Sequence, residues 1–144
     1  MTVGEAYKKI EKIKPLEAAQ IAFEKTADEY AKLNAEQMFD GFNSKDQLIR
    51  LNGRGYAAQT IAAKSRKGQP TDRVTLRDTG KFQSGLYARM EGRYIKTGSV
   101  DSKSDWLEHR SGKDIFGLGP DSKKLFATTT FFNAFMAELK LDLQ

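Results

Sequence analysis

The fold is decided by a stretch near the middle of the chain, Leu76-Arg77-Asp78-Thr79-Gly80-Lys81-Phe82-Gln83-Ser84-Gly85-Leu86. Its Asp-Thr-Gly triplet is typical of a tight turn, and apolar residues alternate with polar ones after it. We predict a strand over residues 82–90, a turn at Glu91-Gly92 and a returning strand over residues 93–100. The middle of the chain therefore forms a small antiparallel hairpin.

Helical periodicity lies on both sides of this hairpin. A short helix is expected over residues 5–14, and a longer one begins at Pro15, whose missing N–H costs nothing in a first turn. Apolar residues then recur three and four positions apart up to residue 38 or 39, and Gly41 marks the end. About 24 residues of helix would span roughly 36 Å. A last helix begins at Gly119-Pro120-Asp121, with an apolar stripe formed by Leu125, Thr129, Phe132, Met136, Leu139 and Leu143. Phe126, Phe131 and Phe135 widen the apolar surface beyond this stripe, so the helix is either buried in its own domain or packed against another subunit.

Shorter elements are predicted between the long helices. Residues 46–51 are expected to form one helical turn, residues 56–64 a short helix, and residues 65–72 an exposed loop interrupted by glycine and proline. A helix over residues 102–109 would turn Trp106 and Leu107 inward, and residues 114–118 would be extended. The prediction is an α+β fold, in which a small antiparallel sheet packs against a long N-terminal helix and a C-terminal helix.

The 144 residues fit one domain. We divide it into a helical part (1–40), a basic loop region (41–73) and a sheet with its closing helix (74–144). The absence of cysteine excludes disulfides and thiolate chemistry, and a single histidine excludes a pair of histidine metal ligands. No apolar run approaches the roughly 20 residues that cross a bilayer, and the first residues do not resemble a signal peptide. We expect a soluble protein without cofactor or metal.

The net charge of +5 is concentrated in one segment of the chain. Residues 50–81 hold eight Lys/Arg against two Asp/Glu, whereas residues 1–49 carry a net −2 and residues 82–144 a net +1. Such an excess attracts polyanions or an acidic protein, although it is also compatible with a solvated face. Only Tyr56 interleaves the segment, which gives little support to stacking on bases. The candidate residues for contact with nucleic acid or an acidic partner are Arg50, Arg54, Lys64, Arg66, Lys67 and Arg73.

Catalytic motifs are weak in this sequence. His109 with Asp105 or Asp114 would be needed for a hydrolase, but a solvated turn histidine explains the residue more simply. The triplet at Asp78 is similar to the active-site triplet of aspartic proteases, yet charged residues flank it where apolar ones are usual. We therefore assign no catalytic residue.

A second glycine-punctuated segment follows the first after about twenty residues, Trp106-Leu107-Glu108-His109-Arg110-Ser111-Gly112. Together the two segments resemble the tail-completion, or virion-morphogenesis, proteins of tailed bacteriophages. Those proteins tend to carry a Thr-Gly pair that is followed by an apolar residue, two further residues and a serine. A glycine-rich hairpin comes next, and then a histidine that is followed by two residues and a glycine before a closing helix. The segment Ile115-Phe116-Gly117-Leu118-Gly119-Pro120-Asp121 is similar to the entry into that helix. This sequence departs from the family at Lys113-Asp114-Ile115, where a Pro-x-Arg element is common, and at Ser84-Gly85, where an aliphatic residue usually follows the serine.

The resemblance implies a structural protein of the virion that is not an enzyme. It would assemble in the bacterial cytoplasm as a ring at the head–tail junction, touching portal, adaptor or tail-tube proteins and, non-specifically, genomic DNA. The candidate subunit-interface residues are Phe23, Tyr30, Phe131 and Phe135. The alternative is a small basic nucleic-acid-binding protein, whose affinity would fall steeply with salt.

Overall fold

The computed structural model describes residues 1–143. Its regular elements are α1 (Val3–Glu11), α2 (Pro15–Phe39), α3 (Ala58–Arg66), α4 (Lys81–Ser84), β1 (Leu86–Glu91), β2 (Tyr94–Ser99), α5 (Ser104–Ser111), α6 (Pro120–Phe126) and α7 (Phe132–Asp142). A 3₁₀ turn covers Lys113–Ile115, and a π-helical turn, Ala127–Phe131, joins α6 to α7. Both the two-stranded antiparallel sheet and α7 pack on α2, so the predicted α+β fold is confirmed.

The long helix α2 is the element on which the rest of the chain packs. Pro15 occupies its first turn, and Gly41 follows its end with a φ of 90°, a left-handed conformation that glycine adopts without a side-chain clash. Arg73 donates from Nε to the Phe39 carbonyl at 2.8 Å, which satisfies one of the carbonyls left free at the helix end. The predicted bounds of this helix are confirmed.

The N-terminal half of α2 is covered by aromatic side chains. Phe23, Tyr30 and Phe126 meet edge to face, with ring centroids 5.3–6.1 Å apart. Together with Ala88 of β1 and Leu118 they form a buried group that we call the aromatic cluster. It joins α2 to the sheet and to the C-terminal helix.

The C-terminal half of α2 holds an irregular segment through two amide side chains. Asn34 donates from Nδ2 to the Ile115 carbonyl at 3.1 Å and accepts from the Gly117 N–H at 3.0 Å. Gln37, one turn later, donates to the Gly117 carbonyl at 3.0 Å and accepts from the Gly119 N–H at 2.6 Å. These bonds satisfy main-chain groups that have no hydrogen-bond partner in a neighbouring strand. Beside them lies the aliphatic cluster, formed by Met38, Ile49, Val74, Leu76, Phe82, Leu107 and Ile115.

The predicted hairpin is present, but its first strand begins late. β1 and β2 pair from Leu86 opposite Ser99 to Glu91 opposite Tyr94, with the turn at residues 92–93. Gly80, at a φ of 87°, instead precedes the short helix α4, which buries Phe82 in the aliphatic cluster. The prediction of a strand from residue 82 is therefore wrong, because burial of one aromatic ring outweighs a short alternating pattern.

Several shorter predictions need correction. Residues 46–51 do not form a helical turn. They include Leu48, which forms an isolated bridge with Phe42, and Leu51, which forms one with Arg54. α3 continues to residue 66, and the start of the segment predicted as extended at residues 114–118 is a 3₁₀ turn. Trp106 is 55% exposed, whereas its neighbour Leu107 is 8% exposed. Consecutive side chains on a helix point about 100° apart, and only Leu107 reaches the core.

The C-terminal helix turns a different face inward than the sequence predicts. Leu125 and Phe132 of the predicted stripe are 57% and 51% exposed, whereas Phe126 is buried and stacks on Phe131 at 6.3 Å. The π turn explains the change downstream of residue 126, because an extra residue in one turn shifts the phase of everything that follows. Two threonine hydroxyls in this turn donate to carbonyls four residues earlier and so perturb the regular helical pattern.

Candidate functional site

A groove of about 1050 Å³ opens beside the aliphatic cluster. Its walls come from the loop at residues 51–57, from α3, from residues 76–83 and from the start and outer side of α5. Leu76 belongs to its floor and has a left-handed backbone with a φ of 56°, a strained conformation for a branched residue. We call it the basic groove, because six cationic side chains line it: Arg54, Lys64, Arg77, Lys81, Lys103 and Arg110.

The charge of the basic groove is largely uncompensated. Only two acidic residues line it, Asp78 and Asp101. Asp78 pairs with Lys67 at 2.7 Å on the rim, and this hydrogen bond lowers the pKa of the Asp78 carboxyl, with smaller electrostatic contributions from Lys103 and Lys64. Within residues 1–143, none of the six cationic side chains that line the groove forms an ion pair within 4.0 Å.

An exposed tryptophan and a partly buried arginine lie together at one wall. The guanidinium carbon of Arg110 lies 4.7 Å from the centre of the Trp106 ring, which is a cation–π arrangement. Two side-chain atoms at the groove are buried without a hydrogen-bond partner in the described chain, the donor Arg110 Nε and the acceptor Gln83 Oε1. Buried polar atoms are nearly always satisfied, so this wall is suited to a polar ligand.

Lys64 is a fixed part of the opposite wall rather than a free cation. Its Nζ donates to the Arg77 carbonyl at 2.6 Å and lies 4.9 Å from the centre of the Tyr56 ring. The Tyr56 hydroxyl in turn accepts from the Thr75 N–H at 2.9 Å. This chain of contacts holds α3 against residues 75–77 and sets the width of the groove.

The six basic residues predicted from the sequence are not one surface. Only Arg54 and Lys64 line the basic groove, whereas Arg50 and Arg73 line a separate cavity of about 80 Å³. Arg66 is exposed on α3, and Lys67 is engaged by Asp78. Lys64 and Arg73 donate hydrogen bonds to the main chain of residues 77 and 39, which gives both a structural role, and their contact with a partner stays a prediction.

Sequence reasoning missed the contribution of α5 to the groove. Lys103, Trp106 and Arg110 lie outside the charged segment at residues 50–81, and the structure brings them to its edge. A signal was present, since Trp106 and Arg110 are four residues apart and therefore share one face of a helix.

The predicted subunit-interface residues lie mostly inside the chain. Phe23 and Tyr30 are buried in the aromatic cluster, so they are unavailable to a neighbouring subunit and their assignment is wrong. Burial raises the pKa of the Tyr30 hydroxyl above its ordinary value, although an interaction with the Leu118 backbone opposes the shift. Phe131 and Phe135 are partly buried and stack on each other at 5.8 Å.

The chain instead leaves other apolar side chains uncovered. α1 begins with a capping box between Thr2 and Glu5, yet none of its residues is buried. Tyr7 and Ile10 on this helix are 62% and 61% exposed. On the outer side of α7, Phe132 is exposed in the same way.

Neither a metal site nor a catalytic cluster stands out in the described residues. Residues 1–143 contain no group of three or more side chains able to hold a metal ion. His109 is exposed on α5 and is not among the described residues that line the basic groove. Over the same residues, every helix is too short or too polar to span a bilayer. Comparisons with known protein families, with curated proteins and with solved structures find no match to this chain.

Proposed function

We propose that this chain is a structural subunit of a tailed-phage virion, which assembles into a ring at the neck or tail end and catalyses no reaction. The observation that carries the proposal is a pair of apolar helical faces, on α1 and α7, that the folded chain leaves exposed. Exposed apolar faces of this kind are typical of surfaces that pack against another protein. The virion setting is suggested by the motif resemblance at residues 76–86 and 106–112.

The first face belongs to α1. A helix of nine residues is marginal in water by itself, and its capping box stabilises only its first turn. Val3, Tyr7 and Ile10 recur at spacings of four and three, which is the spacing of a seam between packed helices. Because α1 buries no residue on its own chain, we expect it to gain stability from a neighbour.

The second face belongs to α7. Phe132, Met136, Leu139 and Leu143 recur at spacings of four, three and four; Phe132 and Leu143 are exposed, and Met136 and Leu139 between them are partly buried. The matching periodicity favours α1 of one copy packing on α7 of the next. A contact between two different faces can repeat head-to-tail, and head-to-tail contacts close into rings when the rotation between subunits allows it.

Native mass spectrometry of the purified chain over a range of concentrations tests the self-association. We expect oligomers for the wild type and their loss in Ile10→Asp and in Phe132→Asp. Tyr94→Asp is the matched control, because Tyr94 is at least as exposed but lies on β2. Oligomers that survive both substitutions would exclude these faces.

A mixture of the two single variants distinguishes a head-to-tail contact from a two-fold one. Ile10→Asp keeps an intact α7 face, and Phe132→Asp keeps an intact α1 face. The mixture should therefore form a dimer of one copy of each and nothing larger. A mixture that stays monomeric would contradict the pairing of α1 with α7.

Labelling with an antibody against this chain tests the place in the virion. We expect label at the junction of head and tail in particles released from the host. Particles without label, in a lysate that contains the protein, would overturn the virion assignment and leave the self-association standing.

A further inference from the structure

We propose that the basic groove binds single-stranded nucleic acid, with phosphates on Arg54, Lys81 and Lys103 and one base stacked on Trp106. The inference concerns a ligand and not self-association, so it is independent of the ring. It also differs from the sequence-based set of candidate residues, since Arg54 is the one member of that set among the four residues named here.

The first argument is electrostatic. Six cationic side chains surround a groove that holds two carboxylates, one of which is already paired with Lys67. The lowered pKa of Asp78 reflects the same positive surroundings. A backbone of repeated phosphates neutralises such a groove better than a single anion does, because its charges are spaced along a chain.

The second argument is the exposed aromatic ring. Trp106 leaves more than half of its surface to solvent, although its helix has an inward side that Leu107 occupies. Arg110 supports the ring from 4.7 Å, and an aromatic platform beside cations is the usual arrangement for stacking unpaired bases. The ring therefore offers a contact that a purely electrostatic partner would not use.

The third argument is the pair of unsatisfied atoms at the groove. Arg110 Nε has a proton to donate and Gln83 Oε1 has a lone pair to accept, and neither has a partner within the described chain. A base carries both donors and acceptors on its edge, so its polarity matches a wall that holds one unpaired donor and one unpaired acceptor. An acidic peptide side chain carries acceptors alone.

Duplex DNA fits these observations less well than a single strand. In a duplex the bases stack on one another and the outer surface presents phosphates and sugars, so Trp106 would gain no stacked base. A strand without a partner can place a base in the groove and still follow the cationic rim.

The single tryptophan of the chain makes the binding directly measurable. Titration with an oligothymidylate of about 12 nucleotides at about 50 mM salt should quench the Trp106 emission to a saturable limit. The logarithm of the affinity should fall linearly with the logarithm of the salt concentration, with a slope of about −0.7 for each phosphate contact. A duplex of the same length should quench less and bind more weakly.

Substitutions locate the site, with a fluorescently labelled oligonucleotide as the probe. The double variant Lys81→Ala/Lys103→Ala should weaken binding and reduce the salt slope by about 1.4. Lys32→Ala/Lys123→Ala is the control, since it removes the same charge from exposed helix positions outside the groove. Trp106→Ala should lower the affinity about 5-fold to 100-fold, and Trp106→Phe should keep most of it.

The proposal is overturned by any of four results. An absence of saturable quenching at low salt would show that the chain does not bind the single strand. Equal losses of affinity in the groove and control variants would show that the strand does not bind in the groove. Equal binding of duplex and single strand, with no effect of Trp106→Ala, would show that no base stacks on Trp106. A polyglutamate peptide that binds the groove while the oligonucleotide does not would assign it to an acidic protein. Circular dichroism spectra that match the wild type ensure that each variant is folded.

Discussion

The two halves of α2 are buried by different means. Around Phe23 and Tyr30 the helix meets β1 and the C-terminal helix through aromatic rings. Around Asn34 and Gln37 it meets residues 115–119 through hydrogen bonds from side-chain amides to main chain. Regular elements satisfy their own backbone and need only apolar cover, whereas an irregular segment needs polar partners from the helix beneath it. The basic groove opens beside the aliphatic cluster, to which Met38 of the second half belongs.

The largest effect on stability is expected from truncating a side chain of the aromatic cluster. Phe126→Ala should lower the free energy of unfolding by about 3–5 kcal/mol, because it opens a cavity between α2 and α6. Phe132→Ala, on the exposed side of the same helix, should change it by less than about 1 kcal/mol in dilute, monomeric protein. Urea denaturation measures both, and equal losses would contradict the inward and outward faces described for this helix.

A smaller loss is expected from the amide contacts of the second half. Asn34→Ala should cost about 2–4 kcal/mol, since the Ile115 carbonyl and the Gly117 N–H stay buried without partners. Asn133→Ala, at an exposed position, is the control and should be nearly neutral. If Asn34→Ala were also neutral in urea denaturation, the irregular segment would not depend on α2 for its hydrogen bonds.

Alkaline pH should lower the free energy of unfolding through the aromatic contacts of the first half of α2. Burial raises the pKa of Tyr30 above its unfolded value of 10.0, so its contribution is full below pH 10 and is lost as the pH rises through the folded pKa. Each pH unit in that window should cost up to about 1.4 kcal/mol. Tyr30→Phe should flatten the decline in unfolding free energy, and Tyr94→Phe, an exposed control, should leave it unchanged.

The smallest effect is expected at the rim of the groove. The Lys67 ammonium lowers the pKa of Asp78, so the stability from this ion pair is present above the unfolded value of 3.8 and is lost as the pH falls through the folded pKa. Both side chains are more than half exposed, and such pairs contribute less than about 1 kcal/mol. Asp78→Asn should therefore alter acid denaturation slightly at low salt, and a large change would mean that the rim is more enclosed than described.

The sequence predicts the parts of the fold that local chemistry controls. The ends of α2 follow from Pro15 and Gly41, and the hairpin turn follows from Glu91-Gly92. The start of β1 could not be predicted, because Phe82 is drawn into a core made of residues distant in sequence. The inward face of the C-terminal helix was missed for a similar reason, since a π turn leaves no clear periodic signal.

The basic groove could be predicted only in part. The charged segment at residues 50–81 supplies four of its six cations, and its excess of charge was visible in the sequence. The remaining wall comes from α5, which reaches the groove through the packing of Leu107 in the aliphatic cluster. Such a juxtaposition depends on tertiary structure, and no local pattern reports it.

Because of the π turn, the continuous helix formed by α6 and α7 buries aromatic rings on one side and exposes other apolar side chains on a different side. In an unbroken α-helix, Phe126 and Phe131 would point about 140° apart; here they stack. Deleting one residue from positions 127–131 would restore regular winding and rotate everything downstream by about 100°. Phe132 and Phe135 would then both face different surroundings, so a length change of one residue in this turn changes which side chains the whole distal helix exposes.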